Sequence, residues 1–324
     1  MKKATKVCLI LCSILAIVGL VLFLIGASLG FGIPQIMDMI YEGKFQFGNV
    51  AMISREDTVK VESGHNGEHH VTRENWTKKE VEYFADDVQN LDIEFDFGTL
   101  ILEHTDGEHI EIEAGYRSKW NNYKRSIGWK VKGNTLEIKD TLHEKILKLF
   151  HFSNDDATLT LRIPEGKVFD EISVEIGAAS FIVETELVAK NMDIVIGAGK
   201  MINSQGVSNT LQAEELDLEI GAGSMEFCGI QAKELNLECG AGNMKISDVT
   251  VQHTDLDCGV GEIVMELSGR EKDYAYEVDC GIGEVVIGES SYSGLGQSKM
   301  VNNGGNKFLD IDCGVGAVHI SFAE

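Results

Sequence analysis

Three sets of residues in this chain have types and spacings that could do chemistry. The first is acidic. Asp193, Asp217, Asn236, Asp255, Glu277 and Asp310 recur at one position of a repeated phrase, and Glu175, Val195, Glu219, Glu238, Asp257, Asp279 and Asp312 recur two residues later. Stacked carboxylates one layer apart repel by roughly 1 kcal/mol each in water. Such columns call for a divalent cation, a basic partner or raised carboxylate pKa values. For Ca2+ the candidate ligands are Asp217, Glu219, Glu238, Asp255, Asp257, Glu277, Asp279, Asp310 and Asp312. The calcium-binding nonapeptide phrase, with Asp two residues after its Gly-x-Gly, is absent, and solvated surface acids are the plainer reading. The second set is Cys239, Cys258, Cys280 and Cys313, one to a phrase and far apart in the chain. A zinc site draws on close C-x2–4-C pairs instead. Ile176, Ile196 and Ile220 hold the same position in earlier phrases, so a reduced, buried ladder is the simplest account, with disulfides between layers as the alternative. His65, His69 and His70 could ligate a transition metal, or lie in a linker.

The phrases themselves must position these residues. ISVEIGAASFIV, MDIVIGAGKMI, LDLEIGAGSMEF, LNLECGAGNMKI, TDLDCGVGEIVM, YEVDCGIGEVVI and LDIDCGVGAVHI share one pattern, and LDIEFDFGTLIL at Leu91–Leu102 is a degenerate copy. Their first glycines are Gly177, Gly197, Gly221, Gly240, Gly259, Gly281 and Gly314, spaced 19 to 24 residues apart except for a last interval of 33. A strand per phrase at a period near 20 predicts a β-solenoid in which each coil stacks on the last. In the last phrase Leu309, Ile311, Cys313 and Val315 fall on one parity, while Val318 and Ile320 continue on the other. A period-2 pattern changes parity only at a corner or bulge, here the Gly-x-Gly. The structural glycines are therefore Gly197, Gly199, Gly221, Gly223, Gly240, Gly242, Gly259, Gly261, Gly281, Gly283, Gly314 and Gly316, needed where the backbone bends or takes φ > 0 without room for Cβ. Met201, Met225, Met244, Ile263, Val285 and Val318 form a second inward column, and Ile202, Val264 and Val286 an outward one that suggests lateral packing against the 91–163 strands.

Around the repeats, the chain divides into residues 1–29, 30–79 and 80–324, with the clear repeats at 172–320. Val7–Leu29 carries no charge. As a helix it would run roughly 34 Å, enough for a bilayer core of about 30 Å. It is too long for a signal-peptide core, and Lys2, Lys3 and Lys6 before it place the N-terminus in the cytoplasm and the rest outside. Residues 30–79 read as a juxtamembrane segment and linker. From Glu80 the texture is β-rich, interrupted by TLHEKILKLFHF (Thr141–Phe152), which has one apolar face of a short helix. The segment Gly288–Phe308, rich in Gly, Ser and Asn, accounts for the longer last interval and reads as a binding excursion or as a loop that closes the last coil.

Composition narrows the function. The formal charge of −24 repels phosphate backbones and excludes nucleic acid as a partner. With 35 glycines and two prolines, the chain corners often yet keeps its backbone donors for ladders. The repeated [IC]-G-[AVI]-G phrases, entered through LRIPEG and FDEISVEIGAAS (Leu161–Ser180), resemble the bacterial DUF4097 family of β-strand-repeat proteins, also called "putative adhesin" proteins. The resemblance covers about Leu91–Ile320 and implies a β-solenoid with no catalytic motif to carry over. The expected fold is an all-β, single-stranded β-solenoid (β-helix) with one coil per phrase and IGAG or CGVG corners, after one N-terminal transmembrane helix. The expected protein is not an enzyme. It is a single-pass membrane-anchored, extracytoplasmic binding, adhesion or envelope-scaffold module, with an envelope protein or glycan as partner and no required cofactor. A sensory accessory of an envelope-stress membrane protein and a polysaccharide-acting enzyme are the alternatives. An enzyme would need paired carboxylates of unlike environment beside an aromatic groove, which monotonous acid columns and 7% aromatics do not supply.

Overall fold

In the computed structural model the described residues are 59–63, 69–73, 80–84, 88–117, 125–142, 156–203, 211–293 and 296–323. They lie in the compact unit Ser54–Glu324. The expected transmembrane helix lies outside the described residues, among which no helix is long and apolar enough to cross a membrane. They form one 24-stranded sheet and a single 3-10 turn, Glu271–Asp273.

Alternation dictates how the layers form. Each phrase supplies two strands, one on either side of its glycine corner, rather than the single strand per phrase expected from the sequence. Leu187–Ile196 and Lys200–Asn203 flank the Gly197 corner, for example. First arms stack on first arms and second arms on second arms, parallel and in register. Every other side chain turns inward, so each phrase contributes one rung to each of several apolar columns. Ile176, Ile196, Ile220 and the four column cysteines are buried, and so are Met201, Met225, Met244, Ile263, Val318 and Val285. Each fully buried large aliphatic contributes about 1.5–3 kcal/mol, which no coil could realise alone.

Stacking departs from sequence order at both ends. The strands Asn90–Phe95 and Thr99–Thr105 lie between Val168–Ile176 with Ser180–Glu184 on one side and Thr135–Leu142 with Asp156–Pro164 on the other. At the far end, Lys307–Cys313 and Ala317–Ala323 fill the layer between the phrases at Thr254 and Tyr276. The expectation that each coil stacks on the last holds only through the middle. Antiparallel strands close the ends. Gln297–Val301 and Ser290–Ser293 cover Tyr274–Cys280 and Glu284–Ile287, so the described part of the Gly/Ser/Asn-rich excursion is largely a cap. Arg125–Lys132 and Ile110–Arg117 cover the other end. The 91–163 strands are thus layers and caps of the stack itself, not a sheet packed on its side, which corrects the role expected for the half-buried Ile202, Val264 and Val286. Upstream of Glu80 the sheet also includes Val59–Ser63 and His69–Arg73, the latter paired with Arg125–Lys132. Strand continues to Leu142 where the apolar periodicity predicts the start of a helix; the rest of Thr141–Phe152 lies outside the described residues, as does His65.

Candidate functional site

The glycine corners are the parts from which the surface is built. At each one the first glycine donates its N–H to the carbonyl of the column residue one layer back, as from Gly197 to Ile176 (2.8 Å) and from Gly240 to Ile220 (2.8 Å). The next residue donates to the glycine below, as from Ala222 to Gly197 (2.8 Å). These bonds bring successive corners so close that side chains are excluded. A Cβ on Gly221 would lie 2.6 Å from the Gly197 oxygen, and one on Gly223 only 2.0 Å from the Gly199 oxygen. The twelve corner glycines do not have positive φ, so close approach alone explains them. Ala179 takes the second-glycine position over Gly98, a corner residue with φ of 109°.

Beneath the corners the cysteines run in the order Cys239, Cys258, Cys313, Cys280, which follows the layers rather than the sequence. All four are buried thiols outside any disulfide, and Cys228, off the column, is exposed and likewise not disulfide-bonded. Their thiols donate to the second glycine's carbonyl three residues on: Cys239 to Gly242 (3.1 Å), Cys258 to Gly261 (3.3 Å) and Cys313 to Gly316 (3.3 Å). The hydrogen bond with Cys239, together with burial, pushes the Cys258 thiol well above its ordinary value, and burial first of all raises that of Cys313. Both shifts favour the protonated thiol, while the same hydrogen bond lowers the Cys239 thiol to about 7.

The two acidic columns stand on the outer face of the first arms. One runs Asp193, Asp217, Asn236, Asp255, Asp310, Glu277, and the other Val195, Glu219, Glu238, Asp257, Asp312, Asp279. All nine residues named above as Ca2+ candidates fall on these columns. Asn236 interrupts the first usefully, donating its amide to Asp217. At the N-terminal end Lys139 pairs with Glu94 and reaches Asp92 at 3.9 Å. Burial, and then the charges of neighbouring acids, raise the carboxyls of Asp193, Glu238, Asp257 and Asp312 above the usual range. Among the described residues no group of three or more His, Cys, Asp or Glu side chains converges as metal ligands. In-register carboxylates spread along a flat face, whereas Ca2+ needs six to eight oxygens around one point.

Near the C-terminal end an open cleft of about 480 Å3 is lined by Asp257, Asp312 and Asp279, by the cysteines and first glycines of the same layers, and by Gly296 of the cap. Beside it are three residues that sequence reasoning misplaced or passed over. Val315, on the parity of the buried Leu309, Ile311 and Cys313, is 57% exposed, and its equivalents Val260 and Ile282 are both 67% exposed. The alternation ends at the first glycine, so the residue between the two glycines faces solvent. The change of repeat letters from IGAG to CGVG was the available signal.

Comparison with known proteins adds a family and a set of solved folds. A family model described as Toastrack DUF4097 matches residues 88–296. A "putative cell adhesion protein" from Clostridium sporogenes is 16% identical with a TM-score of 0.39, over 76% of this chain and 99% of that one. A "putative lipid binding protein" from Parabacteroides distasonis is 14% identical with a TM-score of 0.36, over 76% and 97%. A "putative adhesin" from Bacteroides fragilis is 12% identical with a TM-score of 0.30, over 75% and 97%. No curated protein matches the chain.

Proposed function

The chain belongs to the Toastrack DUF4097 family, and from that premise we propose that it is a non-enzymatic binding module, anchored in the membrane by Val7–Leu29 and displayed outside the cytoplasm. The observation that carries this reading is the pair of acidic columns held in register by the backbone ladder. A stiff face that repeats the same charges at every layer suits extended, many-point contact with an envelope component. Chemistry would instead call for unlike groups gathered at one place. The anchor and the outward orientation rest on the uncharged segment and the three lysines before it.

The test is capture. Full-length protein in detergent, with and without calcium, is offered solubilised envelope and, separately, purified wall polysaccharide. Saturable retention of one membrane protein or one glycan, weakened when Asp217, Glu219, Asp255 and Asp257 are replaced by their amides, supports the reading. Retention of nothing from either source would sink it.

A further inference from the structure

Val260, Val315 and Ile282 occupy the same corner position in three adjacent layers, in that order along the stack. Exposed aliphatics are ordinary when scattered, but three in register about 4.8 Å apart make a continuous ridge. The fold does not require them, because alanine serves at the corresponding Ala178, Ala198, Ala222 and Ala241. Exposed acids border the ridge on both sides, with Asp257, Asp312 and Asp279 along one flank and Glu262 and Glu284 along the other. The cleft of about 480 Å3 runs along the aspartate flank.

We propose that this ridge and its acidic borders are a docking surface for a cationic amphipathic helix of a partner protein. The proposal rests on the binding-module reading and names the partner's chemistry. Spacing selects a helix, since an apolar stripe on a helix recurs about every 5.4 Å, close to one layer, whereas same-face residues of a strand recur at about 6.6–6.8 Å. Charge selects lysine and arginine beside that stripe, with the cleft open to their side chains. A second copy of this surface would set carboxylate against carboxylate, which disfavours self-association through the ridge. Burial and the like charges of Asp255 and Asp310 raise the Asp257 carboxyl, an unfavourable arrangement that a partner's cation would relieve.

The probe is a blocked helical peptide of about 14 residues with leucines along one stripe and lysines beside it. Its controls carry serine for leucine or glutamate for lysine. Binding to the full-length protein in phosphatidylcholine nanodiscs is read by fluorescence anisotropy. We expect saturable binding of the Leu/Lys peptide, weakened about tenfold by V260S/V315S/I282S together and about tenfold by D257N/D312N/D279N together. These positions are exposed, and thermal melting of the variants no lower than that of the parent verifies that they remain folded. Equal binding of the Ser/Lys peptide, or an unaffected ridge variant, would overturn the proposal. So would photo-crosslinking from a benzoylphenylalanine at position 260 that labels lipid instead of peptide, since that marks a membrane contact. If the ridge variant still captures its partner from envelope extracts, the docking surface fails while the binding-module reading stands.

Discussion

The IGAG and CGVG layers share one corner and use it differently. In the layers of Gly177, Gly197 and Gly221 the column residue is isoleucine and the residue after the first glycine is alanine. In those of Gly259, Gly314 and Gly281 the inner residue is cysteine, and the outer one is valine or isoleucine. The Gly240 layer, with Cys239 inside and Ala241 outside, lies between the two kinds. Charge changes along the same path: after the second glycine come Lys200, Ser224 and Asn243, then Glu262, Ala317 and Glu284. The backbone ladder fixes only the glycines. Apolar volume has moved from inside the corner to outside, which leaves the core closed and alters only what the surface offers.

The largest expected effect tests what the two regions share. Gly223→Ala among the IGAG layers and Gly283→Ala among the CGIG and CGVG layers should each cost about 3 kcal/mol in urea unfolding, because both Cβ atoms would enter backbone oxygen; the distances are 2.0 Å and 2.2 Å. A much smaller loss in one region would mean that its corners are not tied equally tightly. Next comes the exchange of inner residues. Ile220→Cys should lose about 2 kcal/mol to the space left behind. Cys258→Ile should stay within about 1 kcal/mol, since Ile220 Cγ2 already approaches the absent Cβ of Gly242 (2.3 Å) much as Cys258 Sγ approaches that of Gly316 (2.6 Å). A loss of several kcal/mol in Cys258→Ile would show that the cysteine layers are packed more closely, and the two corners would then differ inside as well as out.

The smallest effect concerns pH. Asp193, Glu238, Asp257 and Asp312 have folded values raised above the ordinary carboxylate range, chiefly by burial. Between the ordinary and the raised values the folded state holds more protons than the unfolded one, so stability falls as pH rises through that window. Acidification from neutrality toward the ordinary carboxylate range should therefore raise the melting temperature by a few degrees. Asp273, lowered by the backbone N–H of Arg270, acts oppositely and only below the ordinary aspartate range. Adding D257N and D312N should flatten the rise; an unchanged pH profile would place its origin elsewhere.

Much of this was legible because the repeat reports its own environment. Alternation gave the strands, recurrence gave the layers, and the shift at Gly-x-Gly gave the corner. Isoleucine and cysteine at one position identified a buried column. Three things were not legible for physical reasons. Layer order is a matter of long-range pairing, and nothing local in LDIDCGVGAVHI distinguishes a coil that stacks on the previous phrase from one that slips beneath it. Glycine without positive φ looks the same in sequence as glycine with it, so the crowding between corners emerges only when they are stacked. Val315 obeys the alternation on paper, but parity has no meaning across a bend.

The phrase at Leu309–Ile320 has a consequence for assembly. Its strands lie between the phrases at Thr254 and Tyr276 and hydrogen-bond on both sides. A simple solenoid frays from its last coil inward. Here the last coil in sequence is a keystone, and the layer beyond it must already be present, or arrive with it, before both of its edges are satisfied. Folding at this end is thus a closure over a long stretch of chain rather than the addition of one more rung, and such non-local closure is slow. Once in place, the antiparallel strands outside it leave no parallel edge there on which another coil could be templated. The length of the stack at this end is set by topology rather than by where the repeats run out.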